Sequence, residues 1–196
     1  MCYASVAAVG ARRGDVGRSG VGKGVRVFLS LGSNTGRRPD NLRKALRLLS
    51  DDPEIGVVRV SRLYSTSPVG YTQQREFLNG VLELRTRLSP GALLERLQGI
   101  EAGLGKSTPF RNGPRRIDID VVLYGRRVVR RRNLAIPHPR MHRRRFVLEP
   151  LVELAPRAWH PLLRRTAARI LGELGPGERV RPWGAWPTAV GSRRGG

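Results

Sequence analysis

The segment Ile117-Asp118-Ile119-Asp120-Val121-Val122-Leu123 narrows the possible folds of this chain more than any other. Side chains of a strand point alternately to its two faces. Ile117, Ile119, Val121 and Leu123 therefore share an apolar face that needs a core, and Asp118 and Asp120 share the opposite one. At a rise of roughly 3.3 Å per residue, the α-carbons of the two aspartates lie about 6.6–7 Å apart. Two carboxylates at that spacing repel unless cations compensate. A hard cation such as magnesium, shared with phosphate oxygens, would compensate. So would a solvated face neutralised by the neighbouring Arg115 and Arg116.

The rest of the chain supplies the other elements of an α+β domain. Val25, Val27, Leu29 and Leu31 alternate with Arg26, Phe28 and Ser30, and Gly32-Ser33-Asn34 ends that strand. Leu42, Ala45, Leu46 and Leu49 follow helical spacing behind Pro39, which predicts a helix over 39–51. Valine-rich 55–64 reads as a second strand, and after an irregular stretch 77–88 reads as a third. Ser89-Pro90 offers an N-cap and a first-turn proline to a helix carrying Leu93, Leu97, Ile100 and Leu104 and closed by Gly105. Strand 115–124 follows, then an irregular 125–139 and helical patterning near 141–149 and 162–174. The order strand, helix, strand, strand, helix, strand predicts a split βαβ, ferredoxin-like antiparallel sheet with helices packed on it. This domain spans 25–174, between a disordered basic extension (1–24) and a loosely ordered tail rich in Gly, Pro and Trp (175–196). Gly17-Arg18-Ser19-Gly20-Val21-Gly22-Lys23 imitates a P-loop, but Gly24 follows where a magnesium-binding hydroxyl is required.

Charge and composition bound the function. The formal charge is +22, and Lys+Arg number 37 against 15 Asp+Glu. Half of that excess, +11, falls within 105–145, where 13 cations surround only Asp118 and Asp120. Such a setting suits a polyphosphate bound through magnesium, with arginines gripping the remaining oxygens. The single Cys2 offers no disulfide framework, and no apolar run approaches the roughly 20 residues of a membrane span. A soluble, cytoplasmic chain is expected. A nucleic-acid-binding module of the same topology is the rival reading. It fits poorly, because the acidic pair lies on the strand where such modules carry aromatic residues.

Several motifs occur together in order. Arg111-Asn112-Gly113-Pro114-Arg115-Arg116-Ile117-Asp118-Ile119-Asp120-Val121-Val122 resembles the signature of the 6-hydroxymethyl-7,8-dihydropterin pyrophosphokinase family, which moves pyrophosphate from ATP to a pterin alcohol in folate biosynthesis. Leu29-Ser30-Leu31-Gly32-Ser33-Asn34, Tyr64-Ser65-Thr66-Ser67-Pro68-Val69-Gly70, Phe77-Leu78-Asn79 and Ile136-Pro137-His138-Pro139-Arg140-Met141-His142-Arg143-Arg144-Arg145-Phe146-Val147-Leu148 resemble further blocks of the family. The resemblance implies that Asp118 and Asp120 ligate two magnesium ions brought with ATP. It implies a pterin pocket of Thr66, Ser67, Val69, Phe77, Asn79 and Phe146. Nucleotide contacts would come from Gln98, Glu101, Lys106, Arg111, Arg115, His138 and Arg144, with Arg115 and Lys106 stabilising the transferring group. A monomer that binds no nucleic acid and no membrane is expected.

Several positions depart from the family pattern, among them Ser67, where proline is frequent, and Phe77, where many relatives carry tyrosine. Lys106 and Thr108 replace common arginines and Asn112 a common tryptophan, and a point ammonium cannot grip phosphate bidentately. A catalytically weakened relative that keeps pterin and ATP binding is therefore a second alternative.

Overall fold

The alternation of Val25, Val27, Leu29 and Leu31 places them against one set of helices, and the computed structural model, which describes residues 24–105 and 113–187, builds its sheet around that strand. Strand β1 (Val25–Ser33) leads into helix α1 (Arg38–Ser50), and β2 (Ile55–Val60) and β3 (Leu63–Thr66) precede β4 (Phe77–Thr86). Helix α2 (Pro90–Gly103) then precedes β5 (Asp118–Tyr124). The Ser89 hydroxyl accepts the Ala92 N–H at 3.2 Å, so the expected cap forms, and Gly105 ends the segment at φ 73°. A hairpin of β6 (Val129–Arg131) and β7 (Leu134–Ile136), a 3₁₀ turn (Met141–Arg143) and α3 (Arg145–Leu154) come next. The described chain closes with β8 (Trp159–His160), β9 (Arg165–Thr166), α4 (Ala167–Glu173) and β10 (Val180–Gly184).

The main sheet runs β10-β3-β4-β1-β5, with β2 also on β4, and every pair is antiparallel. This is the split βαβ, ferredoxin-like order. One face packs Val27, Leu29, Leu31, Leu82, Leu84, Ile119 and Val121 with Leu42, Leu49, Leu93 and Leu97 of α1 and α2. The other packs Phe28, Val81 and Val122 with Val147, Leu148 and Leu151 of α3 and Ile170 of α4. Among the described residues no helix is long and apolar enough to cross a membrane.

Four local expectations change. The strand expected over 55–64 is interrupted at Ser61, whose hydroxyl accepts the Val81 N–H at 3.0 Å and so replaces one rung of the ladder. The expected single apolar face of 117–123 turns over at its end. Leu29 pairs with Val121 and Phe28 with Leu123, so a β-bulge at Val122 swings Leu123 into the second core. Residues 125–139 contain the β6–β7 hairpin, whose three-residue strands are too short for alternation to show. Lastly, the tail expected to be loose adds β10 to β3 over its described part. Trp186 anchors it, only 7% exposed, with its indole N–H donated to the Ser61 carbonyl at 2.7 Å. Its ring occupies the space above Gly80, where a Cβ would come within 2.7 Å of Trp186 Cζ2. The P-loop-like segment and extension before Gly24, the end of the tail and 106–112 lie outside the described residues.

Candidate active site

The α3–α4 layer covers only part of its sheet face. Beyond it the starts of β4 and β5 and the ends of β1 and β3 floor an open cleft of about 540 Å3. Strand parity sends Ser30, Gly32, Asn79, Asp118 and Asp120 into it, while the loop after β3 and segment 138–146 form its walls.

One side of the cleft is flat and largely apolar. Phe77, Phe146, Val69 and Gly70 line it. Asn79 donates its Nδ2 to Thr66 Oγ1 at 2.7 Å, and both side chains are buried. A Cβ on Gly32 would come within 2.5 Å of Asn79 Oδ1, so only glycine lets that amide lie where it does. The amide plane is thereby fixed, and an amide carries both donor and acceptor.

The other side is charged. Arg115 Nη1 donates to Asp118 Oδ2 at 3.2 Å, and Arg144 Nη1 lies 3.8 Å from Asp120 Oδ2. The two guanidinium groups also lie over the aromatic rings, Arg115 at 5.5 Å from the Phe77 centroid and Arg144 at 5.4 Å from that of Phe146. His138 Nε2 is 3.9 Å from Asp120 Oδ2, within ion-pair reach. No ion pair forms at neutral pH, because burial, then Arg144 and Arg140, push the His138 pKa down to about 4. The Arg140 backbone N–H donates to His138 Nδ1 at 3.1 Å, and Arg144 Nη1 lies 3.4 Å from Nε2, so both ring nitrogens face N–H donors and the ring is held between them. His138 is itself held by its backbone N–H, donated at 3.0 Å to the carbonyl of the bulged Val122.

Of the residues expected at a site, Thr66, Ser67, Val69, Phe77, Asn79, Arg115, Asp118, Asp120, His138, Arg144 and Phe146 all line this cleft. Gln98 does not; it is exposed on α2. Glu101 is buried at 5% exposure, and its Oε1 accepts the Ile119 N–H at 2.7 Å, so it reaches the strand rather than the cleft. Lys106 and Arg111, with Thr108 and Asn112, lie outside the described residues. Sequence reasoning missed Arg140 and Arg143, which add charge to the rim. It also missed Asn34, 1% exposed, whose Oδ1 accepts the Arg115 N–H at 2.8 Å and whose Nδ2 donates to Gln74 Oε1 at 2.8 Å. The first two were hidden within a run of arginines. Asn34 looked like the turn residue that ends β1.

Among the described residues no group of three metal-ligating side chains exists, so the cleft is not a closed metal cage. Two carboxylates suit magnesium, which keeps much of its hydration and arrives with phosphate oxygens. Arg115 Nε is buried without a hydrogen-bond partner among the described residues, while Nη1 reaches Asp118 in the cleft. The donor set therefore fits a magnesium–polyphosphate ligand.

Fold and site together define a ferredoxin-like α+β protein with a shared acidic and cationic cleft beside an aromatic pocket. Residues 28–156 match the family model described as 7,8-dihydro-6-hydroxymethylpterin-pyrophosphokinase (HPPK). The chain belongs to that family. It is 45% identical over 128 residues to the 2-amino-4-hydroxy-6-hydroxymethyldihydropteridine pyrophosphokinase of Bacillus subtilis, covering 65% of this chain and 77% of that protein. The protein of the same name from Aquifex aeolicus is 37% identical over 157 residues, 80% of this chain and 94% of its own. The crystal structure of wild-type Plasmodium falciparum HPPK-DHPS shares the fold at a TM-score of 0.61 and 14% identity, over 76% of this chain and 44% of that one.

Proposed function

We infer that the chain transfers pyrophosphate from ATP to the hydroxyl of 6-hydroxymethyl-7,8-dihydropterin, giving the pterin diphosphate and AMP. The observation that carries this reading is the meeting, in one cleft, of the Asp118–Asp120 pair and its arginines with an aromatic pocket closed by Asn79 and Thr66.

The pterin ring stacks between Phe77 and Phe146 and hydrogen-bonds to Asn79, with Thr66, Ser67 and Val69 completing its pocket. This orientation brings its hydroxymethyl group toward the charged side, where the oxygen attacks the β-phosphorus in line and AMP departs. Asp118 and Asp120 would hold two magnesium ions, which neutralise phosphate charge and polarise the transferring group. Arg115 turns its η-nitrogens to the phosphates, and Arg144, with His138 beside it, donates from the opposite wall. Lys106 and Arg111 add charge from 106–112. Among the described residues no side chain in the cleft is placed as a general base, so rate comes from positioning and charge stabilisation and no covalent enzyme intermediate forms. The protein works as a monomer in the cytoplasm.

The test is to supply the purified protein with ATP, magnesium and the hydroxymethyl dihydropterin. AMP should form only when the pterin is present. Absence of pterin-dependent AMP would overturn the reading.

A further inference from the structure

β5 is an edge strand, paired only with β1 among the described residues. Alternate N–H groups of an edge strand point away from the sheet and have no ladder partner. Ile119 is such a residue, it is only 5% exposed, and it stands between the two aspartates of the cleft. Its N–H is taken by the carboxylate of Glu101, which comes from the last turn of α2 and is itself buried. A charged acceptor on an amide makes a short, strong bond, and this one measures 2.7 Å. A second clamp lies just upstream, where Asn34 and Arg115 exchange two hydrogen bonds at 2.8 and 3.1 Å. Asp118, the first residue of β5, is therefore suspended between two fixed points at the place where an edge strand would otherwise fray.

We propose that Glu101 is a positioning residue: by holding the Ile119 N–H it sets the peptide plane between Asp118 and Asp120 and so the angle at which both carboxylates enter the cleft. The proposal deepens the pyrophosphokinase reading and rests on it. It assigns to Glu101 a role through the strand backbone, whereas the resemblance implied contact with the nucleotide. The carboxylate lies at the free edge of β5, on an amide that points away from the sheet. What the Ile119 N–H needs is an acceptor oxygen at that reach, which a neutral amide also supplies.

Three full-length variants separate these roles. Glu101→Gln keeps the reach and an acceptor oxygen but loses the charge. Glu101→Asp keeps the charge but falls one methylene short. Glu101→Leu loses both. Each is measured for magnesium half-saturation, for kcat and KM toward ATP, and for hydrogen exchange of the Ile119 amide without ligand. The expected result is that Glu101→Gln keeps a protected Ile119 amide and a magnesium half-saturation within about threefold of wild type. Glu101→Asp and Glu101→Leu should lose amide protection and need at least tenfold more magnesium. If Glu101→Leu does not fold, the Asp and Gln variants still decide. Retained activity and magnesium dependence in Glu101→Asp, with a raised KM for ATP in Glu101→Gln, would overturn the proposal in favour of a charge contact with the nucleotide. Unchanged exchange and unchanged magnesium dependence in all variants would overturn it outright. Because the exchange measurement needs no substrate, it stands even if the wild-type protein transfers no pyrophosphate, which would count against the function instead.

Discussion

Asn34 and Arg115, 81 residues apart, are joined by two hydrogen bonds: Asn34 donates its backbone N–H to the Arg115 carbonyl at 3.1 Å and accepts the Arg115 N–H on Oδ1 at 2.8 Å. Through Nδ2 the same side chain holds Gln74. A buried side chain at the end of β1 thus ties down the loop before β4 and the segment that carries Arg115 into the cleft. Asn34→Ala leaves the half-buried Arg115 N–H without its acceptor, a cost of about 1–3 kcal/mol. At about 2–4 °C per kcal/mol for a chain of this size, its thermal midpoint should fall by roughly 2–12 °C. Its kcat/KM should fall at least tenfold, since a misplaced Arg115 is lost to the transferring group. Calorimetry and steady-state kinetics check the two effects.

Asp118→Ala and Asp120→Ala should abolish turnover yet leave the fold intact, because both carboxylates face the cleft and not the core. The partly exposed pairings lost, Arg115 with Asp118 and Arg144 with Asp120, contribute on the order of 1 kcal/mol or less. Circular dichroism and thermal melts of the ligand-free proteins should match wild type within a few degrees.

Trp186→Ala removes a ring buried over Gly80 together with the hydrogen bond to Ser61. Truncations of buried Trp cost about 3–5 kcal/mol, or roughly 10 °C here. Denaturant unfolding of this variant measures how far the last strand belongs to the domain.

All three histidines of the chain are held below their ordinary pKa, in each case first by burial. His160, 4% exposed, is held down further by His142. The unfolded chain therefore binds protons that the native protein refuses. Stability should be full above about pH 7 and decline as the pH falls below roughly 6.5, the unfolded value. Urea unfolding at pH 7.5 and pH 5 tests the sign, and His160→Gln should show the smaller difference.

Much of the fold is legible in the sequence where a regular period meets a definite boundary. β1, α1, β4, α2 and β5 each pair a clean apolar period with a proline, a cap or a glycine. The parts that were not legible depend on partners distant in sequence. β10 lies in a stretch whose glycines and prolines mask any alternation, and it is held by Trp186 through Ser61, 125 residues away. The Val122 bulge leaves no mark in a run of apolar residues, although it both turns Leu123 over and supplies the carbonyl that holds His138. At the site, the aspartate pair declared itself by alternation, and Phe77, Asn79, His138 and Phe146 by resemblance. Glu101 was placed at the nucleotide by resemblance, and its sequence neighbourhood gives no sign of the strand amide it holds. The N–H of an edge strand, which lacks a ladder partner, gives the buried carboxylate a bond that sequence spacing does not reveal.

The central claim is that the cleft around Asp118 and Asp120 moves two phosphates together, with attack at the β-phosphorus. The most direct measurement follows ATP labelled separately at its α- and β-phosphates through one turnover with the hydroxymethyl dihydropterin. The β label should appear on the pterin and the α label in AMP, in equal amounts, and neither transfer should occur with Asp118→Ala. Retention of the β label in ADP, or transfer that survives loss of Asp118, would contradict the account.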